Sequence, residues 1–543
     1  MLNSNRASSV WGAACALAAL ALLAASFPAA GADVSPFTVT EPTVVGPIVS
    51  TADNYGYIIE GFDVQPPPPK GYVVEEYFFS GKGDIYEYTP TGIQRVASCP
   101  AAASKLGCRD IPYTTRMIVK RPINAKQFSG TVIIEPLNPS AGFDIAAVWD
   151  RSRDYFQRHD DIFVGWSSKS VIVNMLKNWN PIRYVGLNWE YAPFIPNGNS
   201  GAYDGITFDI AAQIGALFKA NGPNSPIHDY AVMRVFEAGF SQDGGFTFTQ
   251  AQFFHAIERM PGGGPIYDGY VPGGTNGPSN VNFGLTPAGA LPANDQRRHM
   301  QPHEVPVMHI NTETEIFLGS LSPTGLLYRR PDSDEPGDRY RLWEVPGGSH
   351  VSNDTRDPVL VLQLNDAERQ HIQAADLPPI GCAHQQFVNG LATGISGVVD
   401  PNDFPFAFVA SAAFQALEAW VTFGVPPPRA DRITVDTTTT PPHIVRDAFG
   451  NALGGVRTPF LDVPAATYVP FDTVAHTTAF SGFCILYGYN VPFDPVQLKV
   501  LYKNHGDYVS RFVQSANDVV AEGFWLRPEA TDAVQRAVHA KVP

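Results

Sequence analysis

Apolar positions along this chain switch repeatedly between two periods, and the switching predicts its architecture. Runs rich in Val, Ile, Phe and Tyr at Tyr72 to Phe79, Asp84 to Tyr88, Tyr113 to Val119 and Thr131 to Ile134 read as strands. Asp144 to Arg158 has helical spacing, Asp161 to Trp166 returns to a strand pattern, and Ile206 to Ala220 is helical again. A strand from Ala231 to Ala238 runs into Gly239-Phe240-Ser241, with a helix expected over Thr247 to Met260. Further strands are expected at Ile266 to Val271, Val305 to Ile310 and Tyr340 to Val345, and a long apolar helix over Phe406 to Phe423. Strands alternating with helices predict a mostly parallel central sheet covered on both faces, with its site at the carboxyl ends of the strands.

Stretches without a clean period mark what lies outside that core. Residues 33–70 are rich in Pro, Thr and Val and read as an extended entry strap. The stretch from Val171 to Ser200, extended to about residue 204, carries Trp179, Tyr184, Trp189, Tyr191 and Phe194 among several prolines. That composition suits a cap over a sheet-end site, with Trp189 as an apolar wall for substrate, although the same aromatics could equally plug the edge of the core. Pro426-Pro427-Pro428 suggests a boundary, leaving 33–429 as the main domain and 430–543 as a C-terminal extension packed on it.

The chain start changes the picture of where this happens. Arg6, the apolar stretch Ala13 to Phe27 and the small-residue site Ala30-Gly31-Ala32 are the layout of a signal peptide covering residues 1–32. No later segment reads as apolar enough to cross a bilayer, so a soluble secreted or periplasmic protein is expected. Four cysteines then remain in the mature chain, and an even number in an oxidising compartment suggests disulfides. The economical pairing is Cys99 with Cys108 and Cys382 with Cys484; no CxxC spacing points to zinc. With 37 Lys+Arg against 52 Asp+Glu and no basic run, neither nucleic acid nor a membrane surface is an expected partner.

Ser241 is the strongest chemical signal. A strand, then Gly-x-Ser, then Gly244-Gly245 and a helix is the arrangement that thrusts a serine hydroxyl out on a tight turn. Asp243 stands where a second glycine is usual. His350 follows a strand and the flexible Pro346-Gly347-Gly348, so a loop could return it over Ser241 as general base. An acid between them in the chain would orient the imidazole; Thr312-Glu313-Thr314-Glu315 offers two, with Glu315 favoured and Glu313 the alternative. Backbone donors for an oxyanion would come from Gln242 and, from the loop after an earlier strand, Asn138. No HExxH or phosphate-binding loop occurs, and no metal or organic cofactor is implied.

At these residues the chain resembles a family of exported bacterial proteins described as α/β-hydrolase domain proteins. The resemblance covers most of the mature chain and rests on Glu135-Pro136-Leu137-Asn138, Arg183-Tyr184, Gly239-Phe240-Ser241-Gln242, Thr312-Glu313-Thr314-Glu315 and Gly347-Gly348-Ser349-His350. It continues through Trp420 to Pro427, Gly450-Asn451 and Gly454-Gly455-Val456-Arg457. It implies an α/β-hydrolase fold, Ser241 as nucleophile and His350 as base. It also supports Glu315 over Glu313, although the family tends to have aspartate there. The expected activity is cleavage of a carboxylic ester, small or polymeric, through an acyl-enzyme. An amidase or lactonase using the same residues, and a binding protein on a hydrolase fold that has lost activity, are the alternatives.

Overall fold

The computed structural model describes residues 34–51, 54, 56, 71–98, 107–140, 142–190, 203–320, 327–352, 400–471 and 485–543. The expected signal peptide, Pro66 to Pro69, Cys99, Cys382 and Cys484 lie outside them.

Ten strands form the main sheet: β1 (Thr43–Val45), β2 (Tyr72–Gly83), β3 (Ile111–Pro122), β4 (Thr131–Leu137), β5 (Ile162–Ser167), β6 (Arg234–Phe240), β7 (Gly269–Gly273), β8 (Val307–Thr312), β9 (Ser333–Glu335) and β10 (Asp338–Val345). Their spatial order is β9-β10-β8-β7-β6-β4-β5-β3-β2-β1. The strands from β10 across to β5 run parallel. Antiparallel pairing adds β9 at one edge and β3, β2 and β1 at the other.

Side chains of the central strands alternate between two cores, as a period of two requires of a sheet buried on both faces. Val132 and Ile134 of β4 face one core and Ile133 and Leu137 the other; Val235 and Phe236 of β6 divide the same way. The first core is covered by α2 (Ser170–Trp179), α3 (Thr207–Ala220) and α4 (Gln242–Thr249). The second is covered by α1 (Ala147–Arg158), α6 (Phe406–Phe423), α7 (His505–Glu522) and α8 (Arg527–His539). The described part of residues 430–543 thus shares a core with the sheet: Trp343 of β10 lies edge-on to Phe524 with ring centroids 5.0 Å apart, and Phe408 of α6 to Trp525 at 5.4 Å.

Several expectations are corrected. Tyr86–Tyr88 leaves the main sheet and pairs with Ile93–Arg95 in a separate two-stranded ribbon. Ser170–Trp179 is a helix whose Ile172, Val173 and Leu176 enter the first core, so the first part of the supposed cap belongs to the body of the fold. Residues 191–202 of that segment lie outside the described residues. Helix α6, with the expected bounds, is long and apolar enough to cross a membrane by composition, contrary to the sequence reading. It is 61% buried against the sheet and the C-terminal helices, as a core helix is.

Candidate active site

The elbow at Ser241 is built by close backbone approaches. Ser241 sits at φ 69° and ψ −123°, between the end of β6 and the first residue of α4. Such a conformation is costly for a non-glycine residue and persists only where the surroundings over-determine it. Here they do. A Cβ on Gly239 would lie 2.1 Å from the Asp243 carbonyl oxygen, and one on Gly244 would lie 1.9 Å from that of Gly273 on β7. The Ser241 N–H donates to the Gly273 carbonyl at 3.0 Å, which pins the turn to the neighbouring strand.

Asp243, the unexpected residue, occupies the first turn of a regular helix and is buried beside Ser168 and Lys169. Burial pushes its carboxyl well above the ordinary carboxylate range, with Lys169 pulling back and Asp144 adding to the rise. Burial likewise brings the Lys169 ammonium down to about 8.

His350 reaches Ser241 from β10. Its Nε2 lies 2.8 Å from Ser241 Oγ, and its Nδ1 lies 2.5 Å from Glu315 Oε1. The structure therefore brings together Ser241, His350 and Glu315 in one hydrogen-bonded chain. Glu315 belongs to α5 (Glu313–Ser320), which starts directly after β8. Its Oε2 accepts from the Thr312 N–H at 2.7 Å and the Thr312 hydroxyl at 2.6 Å. Burial works to raise the Glu315 carboxyl, but the charge of His350 and these hydrogen bonds outweigh it, leaving it below the ordinary carboxylate range. Glu313 goes elsewhere. It accepts from the Gly347 N–H at 2.8 Å and from Arg446 at 2.6 Å, tying the turn before His350 to the C-terminal segment.

Two other positions differ from expectation. The Asn138 N–H donates to the Ile145 carbonyl at 2.9 Å, so it is spent inside its own loop and is not the second oxyanion donor. The Asn138 side chain instead braces the loop: its Nδ2 donates to the Phe240 carbonyl at 3.0 Å and its Oδ1 accepts from the Ser140 N–H at 2.9 Å. Gln242 opens α4, where the first N–H groups have no partner within the helix. Trp189 is buried in the first core, donating to the Tyr203 carbonyl at 3.3 Å, and is not among the residues lining the cavity at Ser241. Its surroundings are those of a core plug.

Sequence reasoning passed over Thr312, Thr314, Arg151 and Ser140. Thr314 Oγ1 accepts from the His350 N–H at 2.9 Å, and Arg151 donates to the His350 carbonyl at 2.8 Å while lying over the Phe240 ring. Ser140 Oγ donates to Gln242 Oε1 at 3.3 Å. Only Thr312 left a readable signal: Thr312 to Glu315 has the spacing of a capping box, in which a glutamate reaches back to the N–H preceding a helix.

Ser241 opens onto a cavity of about 530 Å³ whose walls include Gln242, Thr275, Asn276, Arg298 and Tyr328. A family model described as "Alpha/beta hydrolase domain" matches residues 44–535, which takes in the sheet, the elbow and the C-terminal helices. The chain belongs to that family. No curated protein matches this α/β-hydrolase. Among solved structures it is similar to esterase Est22, at 12% identity over 57% of this chain and 81% of that one, TM-score 0.29. It is also similar to a putative carboxylesterase from Lactobacillus plantarum, at 11% identity over 56% and 100%, TM-score 0.27. A dienelactone hydrolase from Anabaena variabilis matches at 12% identity over 48% and 92%, TM-score 0.24. Likenesses this slight carry no weight beside the family match and the site itself.

Proposed function

We propose that this α/β-hydrolase is an exported serine hydrolase that cleaves carboxylic esters through an acyl-enzyme on Ser241. The observation that carries the reading is the continuous chain from Ser241 Oγ through His350 to Glu315, mounted on a strained elbow. Ser241 Oγ attacks the ester carbonyl while its proton passes to His350 Nε2. The Glu315 carboxylate, held ionised by His350 and Thr312, stabilises the imidazolium that forms. The carbonyl oxygen, now negative, is met by the Gln242 N–H at the positive end of α4; Ser140, whose hydroxyl reaches Gln242, sits in the loop from which a second donor comes. Collapse returns the proton to the departing alcohol, and a water repeats the sequence on the acyl-enzyme.

A fluorophosphonate probe tests this directly, because it reacts only with an activated serine. Labelling close to one probe per chain, on the peptide containing Ser241, is expected, together with turnover of p-nitrophenyl esters. An unlabelled, folded protein would favour the non-catalytic alternative.

The export half of the reading rests on the signal-like start and on the even number of cysteines in the mature chain. Mass spectrometry of protein recovered from the natural host should find its N-terminus at Asp33. Non-reducing peptide maps should link Cys99 to Cys108 and Cys382 to Cys484. Four free thiols would overturn both the pairing and the compartment.

A further inference from the structure

We infer that the cavity at Ser241 takes esters of which one half carries a carboxylate, and that Arg298 is the group that reads it. The inference rests on the ester-hydrolase reading and adds the substrate class to it.

Arg298 lines the cavity and has no ion pair among the described residues. Its neighbour Arg297 takes the nearby carboxylate, bonding Asp295 through Nε at 3.0 Å and Nη2 at 2.7 Å. Arg298 is held without being neutralised: Nη1 donates to the Leu291 carbonyl at 3.2 Å, and the guanidinium lies 4.9 Å from the centre of the Tyr328 ring. Tyr328 is itself fixed by its hydroxyl, which donates to the Ala293 carbonyl at 2.7 Å. A guanidinium held in place over an aromatic ring is preorganised for a carboxylate that enters the cavity.

The rest of the wall favours the same ligand. Thr275, Asn276 and Ser279 are neutral, and no described residue lining the cavity carries a carboxylate. In a chain of net charge −15 a positively charged cavity is not what composition would supply. An anion entering there meets a cation without an ion pair and no carboxylate in the described wall, whereas a purely aliphatic chain would leave the guanidinium desolvated and unmatched.

Two matched substrate pairs test the inference: p-nitrophenyl hemisuccinate against p-nitrophenyl butyrate, with the charge on the acyl half, and 4-acetoxybenzoate against phenyl acetate, with it on the alcohol half. In at least one pair kcat/KM should favour the anion by ~10-fold or more after correction for the intrinsic reactivity of the ester. Arg298→Gln should then lower kcat/KM for that anion by about 10- to 100-fold, leave the neutral ester within about threefold, and keep the melting temperature; Arg298→Lys should restore part of the loss. Preference for the neutral ester in both pairs, or an equal loss on both members, would overturn the inference while leaving the ester reading intact if the fluorophosphonate still labels Ser241. Calorimetry with succinate and 4-hydroxybenzoate separates the two further. Saturable binding of one of them, lost in Arg298→Gln, supports the carboxylate site even in a protein that turns over no ester, and absence of binding by both overturns it.

Discussion

Replacing Ser241 with alanine will remove ester turnover and fluorophosphonate labelling while leaving the melting temperature nearly unchanged. The expected loss in kcat is about 10⁴- to 10⁶-fold, the range for deleting one member of a nucleophile–base–acid set that acts as a unit. Stability should barely move for three reasons visible in the fold. Among the described residues the Ser241 side chain makes one hydrogen bond, to His350 at 2.8 Å. The positive φ of 69° is imposed by Gly239, Gly244 and the bond to Gly273, none of which involves the hydroxyl. Alanine bears the same Cβ and so the same backbone strain. Turnover within tenfold of the parent would remove Ser241 from the mechanism, and a large drop in melting temperature would mean that the hydroxyl holds the elbow.

The second large effect is on stability and concerns Glu237, four residues before the nucleophile on β6. Glu237 is fully buried. Burial pushes its carboxyl well above the ordinary range; the Thr247 hydroxyl pulls the other way, and nearby Asp243 adds to the rise. A group whose pKa is higher folded than unfolded binds more protons in the folded state. Its contribution is therefore fully present below the unfolded value of about 4.3 and is lost as pH rises towards the folded value. Over that window each pH unit removes about 1.4 kcal/mol. Glu237→Gln keeps the shape and cannot ionise. Its melting temperature relative to the parent should rise between pH 5 and pH 8, the direction that a raised carboxyl requires. Comparing variant with parent at each pH cancels the buried groups that do not interact with Glu237, whose titrations are common to both. A gap that stays constant over that range would show that Glu237 ionises in place at no cost.

Much of the site could be found along the chain because its parts are local. The elbow needs small residues within two or three positions of the serine, so Gly239-Phe240-Ser241 and Gly244 announce it. The histidine needs a flexible return from a strand end, and Pro346-Gly347-Gly348 supplies one. What was harder to read were contacts between segments far apart in sequence. Asn138 stood in the loop expected to supply a donor, but its N–H is consumed by Ile145, a pairing that depends on how the loop folds back on itself. Trp189 had the composition of a substrate wall, yet composition does not distinguish an aromatic against a substrate from one against Tyr203 and the first core. Glu313 and Glu315 are both good acids by residue type. The helix that begins between them and β8 turns one towards His350 and the other towards Gly347 and Arg446.

The sequence by itself determined the layered plan, the central strands, helix α6 and the serine and histidine of the candidate site, because each follows from a period of two or 3.6 residues or from a turn of a few residues. The tertiary structure decided which glutamate meets the imidazole, that Arg151 and Thr314 hold His350, and that the helices near the C-terminus share the core of the sheet. It also decided that Arg298 faces the cavity without a carboxylate of its own. These are matters of what lies within a few ångströms across separations of tens to hundreds of residues, where desolvation and hydrogen-bond geometry act and local periodicity carries no information.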